Sequence, residues 1–185
     1  MNIHVIYDEI LRETVAPVTV FDGALQQEAD EMIKLMKKNL GLGLAANQVG
    51  LNKQLIVLGY HRTSVEDDIP EIPFQLLCNP KVVKFSTAKD IQNEGCLSLP
   101  GLELPVERSV GVVVEAQNLK GEPVTIKAKG LHARVLQHEI DHLNGILFTD
   151  RVKNYQKVED YQWARIVFCG SDDFSTPVLQ ALLDA

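Results

Sequence analysis

The strongest constraint on this chain is the string His138-Glu-Ile-Asp-His142, which lies in a stretch with the pattern of a helix. Gly130 precedes the stretch and Gly145 supplies a stop signal, so we predict a helix over residues 131–143. Residues four apart lie on one helical face, which lets both imidazoles reach a single metal ion. Glu139 would lie beside the open position of that ion, where it can take a proton from water and pass it to a leaving group. The alternative is a chance occurrence of the string on an exposed helix.

A catalytic metal site needs a third protein ligand, and the sequence beyond His142 contains no histidine. A third histidine six residues past His142 would fall on Phe148, which excludes that ligand pattern. A carboxylate from a later segment, Glu159 or Asp160, would instead give an endopeptidase of the zincin type. Nothing around these two residues matches the second motif of such an enzyme, but the residues alone leave this alternative open.

Cys96 is a candidate ligand upstream of the histidine pair, in the segment Glu94-Gly-Cys-Leu-Ser-Leu-Pro100. Gly95 lets the backbone pass close to a metal or a substrate. A thiolate is a strong ligand for zinc or iron. The alternative is a buried core cysteine, a common fate of a free thiol. The presence of the histidine pair favours the ligand over the core residue.

A third segment of interest is Gly41-Leu-Gly-Leu-Ala-Ala-Asn-Gln48. It lacks the Lys-Ser/Thr ending of a P-loop and does not match GxGxxG, so a phosphate-binding loop is not supported. Gln48 is the functional candidate, because a side-chain amide can donate a hydrogen bond to a developing oxyanion. The alternative is a tight turn of small residues.

Hydrophobic periodicity predicts an α+β domain with small antiparallel or mixed sheets around the central helix. An N-terminal helix is expected to begin at Asp22 and to end at Asn39 and Gly41. Gln54–Tyr60 is predicted as a strand, and Phe74–Phe85 as one or two strands interrupted by Asn79-Pro80. Val110–Ala116 and Pro123–Ala128 are predicted as a hairpin.

Composition excludes several classes of function. The 185 residues carry a formal net charge of −7, and an acidic chain is a poor candidate for nucleic-acid binding, in which phosphate neutralisation dominates affinity. The three cysteines form no CxxC pair and favour a reducing compartment over a disulfide framework. The chain has no apolar run of membrane-spanning length and no secretory signal at its start, so we expect a cytoplasmic protein without a membrane partner.

Three motifs follow one another along the chain: GxGxAAxQ at Gly41–Gln48, EGCLS at Glu94–Ser98 and HExxH at His138–His142. Together they resemble the peptide deformylase family, with the likeness spanning residues 3–152. The resemblance implies a metal-dependent enzyme. Its activity would be to remove the N-formyl group from the N-terminal formyl-methionine of nascent polypeptides and to release formate.

The resemblance also implies roles for the matching residues of the metal centre. The three protein ligands would be Cys96, His138 and His142. Glu139 would act as general acid and base, while Gln48 and the backbone N–H of Leu97 would donate hydrogen bonds to the oxyanion. One divalent ion would be bound, with Fe(II) in first place and zinc, nickel or cobalt able to occupy the site.

Further residues would bind the substrate or support the site. Gly43 would offer its backbone to the substrate, and Glu94 would pair with Arg108 to brace the cysteine loop. The pocket for the methionine side chain would draw on four residues: Leu42, Gly95, Leu131 and Val135. The expected partners are N-formylmethionyl peptides, with a transient encounter with the ribosome that supplies them.

The C-terminal part of the chain does not belong to this resemblance. Residues 165–183 resemble the N-terminus of methionyl-tRNA formyltransferase, but about twenty residues fall far short of a nucleotide-binding domain, so we expect no formyltransferase activity. We predict a catalytic domain over 1–153 and a C-terminal extension over 154–185.

A non-enzymatic interpretation is a structural zinc domain, in which the site is closed by four protein ligands. Cys78 is the remaining candidate for the fourth ligand. In that interpretation Glu139, at the open position, would have no explained role.

Overall fold

Two α-helices and seven β-strands make up the part of the chain that the computed structural model describes, residues 1–61 and 68–152. The helices are α1 (Gly23–Lys38) and α2 (Gly130–Leu143), and neither is long and apolar enough to cross a membrane. The strands are β1 (Gly43–Ala45), β2 (Leu55–Tyr60), β3 (Ile72–Phe85), β4 (Lys89–Cys96), β5 (Leu99–Ser109), β6 (Gly111–Gln117) and β7 (Pro123–Lys129). Short 3₁₀ helices span Glu9–Arg12, Ala46–Val49 and Phe148–Arg151. The predicted extension over 154–185 lies outside the described residues.

The strands form two separate sheets. Five of them make one sheet in the order β1-β2-β3-β6-β7, and β4 pairs only with β5 in a two-stranded sheet among the described residues. Every one of these pairings is antiparallel. Strand β1 therefore lies at an edge of the larger sheet, where it is paired with β2 on one side.

Strand β2 is buried on both faces, so the two helices lie on opposite sides of the larger sheet. The side chains of Ile56 and Leu58 belong to the cluster that contains α2, whereas Leu55 and Val57 belong to the cluster that contains α1. All four have no exposed surface. Because successive side chains of a strand point to opposite faces, the continuous apolar run Leu55–Leu58 supplies both clusters.

Helix α2 packs against the larger sheet through one apolar stripe. Ala133, Leu136, Ile140 and Leu143 repeat at intervals of three and four and are buried against strand residues such as Val114. The face of α2 that carries the two histidines is turned toward the β4–β5 hairpin instead, as the contacts of Glu94 with this helix show. The helix thus joins the two sheets.

The β4–β5 hairpin was not among the strands predicted from the sequence. Its strands carry few buried apolar side chains, and β4 runs Lys-Asp-Ile-Gln-Asn-Glu-Gly-Cys with Glu94 as its buried residue. Val106 and Leu99 of β5 supply the apolar contacts, in a third cluster with Leu11, Leu147 and Phe148. A strand that buries one charged residue does not show the alternation on which strand prediction depends.

Just beyond the C-cap of helix α1 stands a residue other than glycine with a left-handed backbone. Leu40 has φ 57° and is 91% exposed. Its N–H donates to the carbonyl of Lys37 at 3.2 Å, and the N–H of Gly41 donates to that of Met36 at 3.0 Å, the two bonds of a Schellman motif. Such motifs usually place glycine where Leu40 stands, because a Cβ in this conformation costs about 1–2 kcal/mol. The predicted helix end is confirmed, but the left-handed residue is Leu40, one position before Gly41.

We expect Leu40→Gly to raise the free energy of unfolding by about 0.5–1 kcal/mol, since removing the Cβ strain exceeds the larger chain entropy of glycine in the unfolded state. Urea denaturation followed by circular dichroism measures the change. The matched control is Lys34→Gly in the exposed middle of α1, which should lose about 1 kcal/mol. A comparable loss in both variants would contradict the assigned strain.

Candidate metal centre and active site

Helix α2 brings His138 and His142 to one point beside the end of β4. Their Nε2 atoms are 3.2 Å apart, and the Nε2 atom of His142 lies 3.2 Å from Sγ of Cys96. The three ligand atoms all lie within 4.8 Å of one another. Cys96 ends β4, where the pairing with β5 shifts register between Gly95 and Cys96. Such an irregularity re-aims a side chain, which here brings the thiol to the histidine pair.

The donor set fits a single divalent metal ion. The Nδ1 atom of His138 lies 3.0 Å from Oε2 of Glu94, and donation from Nδ1 leaves the Nε2 lone pair for a cation, as is usual for metal-ligating histidines. Burial lowers the pKa of His142 well below its ordinary value, which favours the neutral imidazole that a metal ligand requires. One thiolate and two imidazoles suit zinc or iron. Within the described ranges, these are the side chains that could hold an ion.

Glu139 is buried next to His138, with part of its carboxylate unpaired. The residue is 4% exposed, and its Oε2 atom has no hydrogen-bond partner within the described structure. Burial raises the pKa of Glu139 to about 7. Gly43 of β1 faces this carboxylate so closely that a Cβ there would lie 2.5 Å from Oε1 of Glu139. The absence of a side chain at position 43 therefore makes room for the carboxylate.

Gln48 is fixed by both ends of its amide and reaches the thiol of Cys96. Its Oε1 atom accepts a hydrogen bond from the backbone N–H of Ala45 at 2.8 Å. Its Nε2 atom donates to Oγ of Ser98 at 3.0 Å and lies 3.4 Å from Sγ of Cys96. Sequence reasoning missed Ser98, which is fully buried. The available signal was its place two residues after the cysteine in the EGCLS motif.

Glu94 is the buried anion behind His138. Arg108 donates to both of its oxygens, from Nε to Oε1 at 2.9 Å and from Nη2 to Oε2 at 3.0 Å. Although burial acts to raise the pKa of Glu94, hydrogen bonds from His138 and Arg108 lower it to about 2. The Nη1 atom of Arg108 also donates to Asp141 of α2, a buried contact that the sequence did not reveal. The hairpin and the helix are thereby joined through charged side chains.

The residues predicted for the methionine pocket are brought together only in part. Leu42, Leu131 and Val135 belong to one apolar cluster, the first two as half-buried members and Val135 with 8% exposure. Gly95 lies apart from this cluster on β4 and is exposed. Leu97 directly follows Cys96 and is half-buried.

Cys78 does not join the metal centre. It is fully buried on β3 in the cluster that contains α1, and burial raises the pKa of its thiol to about 11. Cys78 is thus a core residue, and the described residues offer no fourth ligand for a closed structural zinc site. Glu159 and Asp160, the carboxylates of the endopeptidase interpretation, lie outside the described residues.

Comparison with known proteins assigns the chain to a family. A family model described as polypeptide deformylase matches residues 1–158. The chain belongs to this family. Peptide deformylases are metallo-hydrolases that remove the N-formyl group from nascent polypeptides, so the predicted class of enzyme is confirmed. The roles of individual site residues stay predictions.

Individual deformylases match most of the chain. The peptide deformylase of Thermosynechococcus vestitus is 40% identical over 154 residues, which cover 83% of this chain and 79% of the relative. That of Thermotoga neapolitana is 40% identical over 152 residues, with 82% and 87% covered. The chain therefore spans most of the length of these relatives.

Solved deformylase structures share the fold. The Met-Ala-Ser-bound class I type b enzyme of Acinetobacter baumannii gives a TM-score of 0.78 at 36% identity, with 82% of this chain and 98% of that one covered. The Synechococcus elongatus enzyme in complex with actinonin gives 0.74 at 42% identity, with 83% and 79% covered. The predicted α+β architecture of a deformylase is confirmed.

The two described thiols should differ in reactivity, because Cys96 lies at the metal centre and Cys78 lies in the core. We expect iodoacetamide to alkylate Cys96 in metal-stripped protein and zinc to suppress that labelling. Cys78 should stay unmodified until the protein is unfolded in urea, since a buried thiol with a raised pKa has little thiolate. Peptide mapping by mass spectrometry assigns each cysteine separately. Labelling of Cys96 at the same rate with and without zinc would contradict its assignment as a ligand.

Proposed function

We propose that this deformylase hydrolyses the formyl amide of N-formylmethionyl peptides with Glu139 as the group that moves the proton. The observation that carries the proposal is the convergence of Cys96, His138 and His142 beside a buried carboxylate with an unpaired oxygen. A structural site would not need that carboxylate. A hydrolase needs a base at this position to accept a proton from water.

One divalent ion would be held by the three converging residues, and Fe(II) is the ion that we propose. When bound, the ion would lower the pKa of a water molecule and polarise the formyl carbonyl. Fe(II) and zinc both accept this ligand set, and nickel or cobalt can replace them. The family resemblance favours iron among these metals.

The reaction is a hydrolysis in which the water oxygen bonds to the formyl carbon and the carbon–nitrogen bond breaks. Glu139 takes the proton of the water at its unpaired Oε2 and delivers it to the departing amine nitrogen. The amide of Gln48, held by Ser98 and Ala45, donates a hydrogen bond to the formyl oxygen as negative charge develops on it. We assign the backbone N–H of Leu97 as the second donor. The products are formate and a peptide with a free amino terminus.

The substrate would bind in an extended conformation along the edge of the larger sheet. Strand β1 ends the sheet, and its residue Gly43 adjoins Glu139, so a peptide paired with this edge would place its formyl group at the metal centre. The apolar cluster that contains Leu42, Leu131 and Val135 offers a surface for the methionine side chain. Gly95 lies apart from this cluster, and its part in the pocket is proposed from the family resemblance alone.

Nascent polypeptides are the substrates of this family, and they emerge from ribosomes. We therefore propose that the protein acts in the cytoplasm and meets the ribosome transiently. We propose no direct contact with nucleic acid, because a chain with a net charge of −7 is a poor candidate for binding phosphates.

The first test is formate release from formyl-Met-Ala-Ser by anaerobically purified, iron-loaded protein. Wild-type protein should release formate, and Glu139→Ala should lower the rate by about 10²–10⁴-fold because the variant lacks the carboxylate that moves the proton. The matched control is Glu115→Ala, an exposed carboxylate of β6, which should keep the wild-type rate. An absence of formate from wild-type protein that is folded and holds iron would contradict the proposal.

A second test addresses the oxyanion donor. Gln48→Ala should lower kcat about 10²–10³-fold while iron content stays at the wild-type level, because the amide stabilises developing charge and does not ligate the metal. Gln27→Ala, on the exposed face of α1, is the control and should behave as wild type. A rate for Gln48→Ala within a few-fold of wild type would remove the glutamine from the mechanism.

A further inference from the structure

Arg134 is a buried cation that neither the predicted site nor the proposed mechanism uses. It lies on α2, one helical turn before His138, and its side chain is 5% exposed. Burial of a guanidinium is costly unless its hydrogen bonds are satisfied by acceptors of opposite charge. Its partners therefore indicate what it holds in place.

Within the described part of the chain, Arg134 donates its hydrogen bonds to the β4–β5 hairpin. The Nη1 atom donates to Oε1 of Glu94 at 2.6 Å and to the carbonyl of Val106 at 2.9 Å. The Nη2 atom donates to Oδ1 of Asp90 at 2.7 Å and to the carbonyl of the same residue at 3.2 Å. One side chain from the helix thus contacts both strands of the hairpin.

These contacts connect the two elements that supply the metal ligands. The hairpin carries Cys96 at the end of β4, and the helix carries His138 and His142. The contact between Arg108 and Glu94 lies within the hairpin itself, whereas that between Arg134 and Glu94 runs from the helix to the hairpin.

The same contact orients the carboxylate that holds His138. Arg134 and Arg108 donate to Oε1 of Glu94, while Arg108 and His138 donate to its Oε2. Glu94 therefore accepts four hydrogen bonds, which is about the capacity of a carboxylate. A carboxylate with both oxygens occupied cannot rotate away from Nδ1 of His138. Such orientation of a ligand through its second nitrogen raises metal affinity.

We propose that Arg134 is a positioning residue of the metal centre, which fixes Glu94 against His138 and sets the place of Cys96 relative to both histidines. This inference rests on the proposed function, since it requires that the three residues bind an ion. It assigns no contact between Arg134 and the substrate. The property that Arg134 controls is metal affinity, which is measurable without a formylated peptide.

The test is the dissociation constant for Co(II), measured by competition with a chromophoric chelator, in wild type, Arg134→Met and Arg134→Lys. Arg134→Met should bind Co(II) about 10–100-fold more weakly, the usual effect of losing a group that orients a ligand. Arg134→Lys retains the charge but not the planar fork, so it should also bind more weakly than wild type. The visible ligand-field bands of bound Co(II) should change in both variants, because the geometry of the ligands changes. If Arg134→Met does not fold, Arg134→Lys still decides the question.

The matched control is Arg151→Met, which removes a partly exposed arginine that pairs with Asp141 and does not touch Glu94. Its Co(II) affinity should stay within about threefold of wild type if the effect is orientation and not net charge. Folded Arg134 variants with wild-type affinity and unchanged ligand-field bands would overturn the inference and leave the proposed function intact. A wild-type protein that binds no Co(II) would overturn both.

Discussion

The architecture of the site depends on one buried carboxylate, Glu94, and the cations around it. An ionised group in the interior is tolerated only when its hydrogen bonds are satisfied, and Glu94 accepts from Arg108, Arg134 and His138. These donors come from strand β5 and helix α2, so satisfying the charge of Glu94 also aligns the hairpin with the helix. The polar hairpin, which has few apolar side chains to bury, is attached to the helix mainly in this way. A hydrophobic contact of similar area would not fix the orientation of the hairpin relative to the helix as these directional hydrogen bonds do.

Close packing of apolar side chains adds to the charged contacts in fixing the elements around the site. The side chains of Leu55–Leu58 fill the interior on both sides of the larger sheet, so β1 and the small-residue segment after α1 are held at a defined depth. At that depth Gly43 meets the carboxylate of Glu139, and Gln48 reaches Ser98 and the ligand thiol. The close approach of Glu139 to Gly43 explains why the segment after α1 has a small residue at this position. Three sequence motifs that lie far apart in the chain meet because the sheet and the helix leave them one common space.

The sequence allowed both helices and strands β2, β3, β6 and β7 to be predicted, because their signals are local. Strand β1 was not predicted, since it lies in the small-residue segment Gly41–Gln48. Asp22 caps α1 through the N–H groups of Ala24 and Leu25, as its position before the apolar repeat indicates. The ligand candidates also followed from spacing and motif order. The β4–β5 hairpin could not be predicted because β4 lacks an apolar alternation, and the role of Arg134 could not because its charged contacts join residues far apart in sequence. Leu40 shows another limit, since an exposed leucine occupies a left-handed position where local preference favours glycine.

The separation of the two sheets has a consequence for exchange of the metal. Among the described residues, β4 and β5 pair only with each other, so separating the hairpin from α2 would break the hydrogen bonds of Arg108 and Arg134 but not the strand pairing of the five-stranded sheet. Such a separation would move Cys96 away from His138 and His142, the two residues that would hold the ion together with it. Replacement of one metal by another in the folded protein would be governed by the local stability of the hairpin, which is separate from the global stability of the molecule.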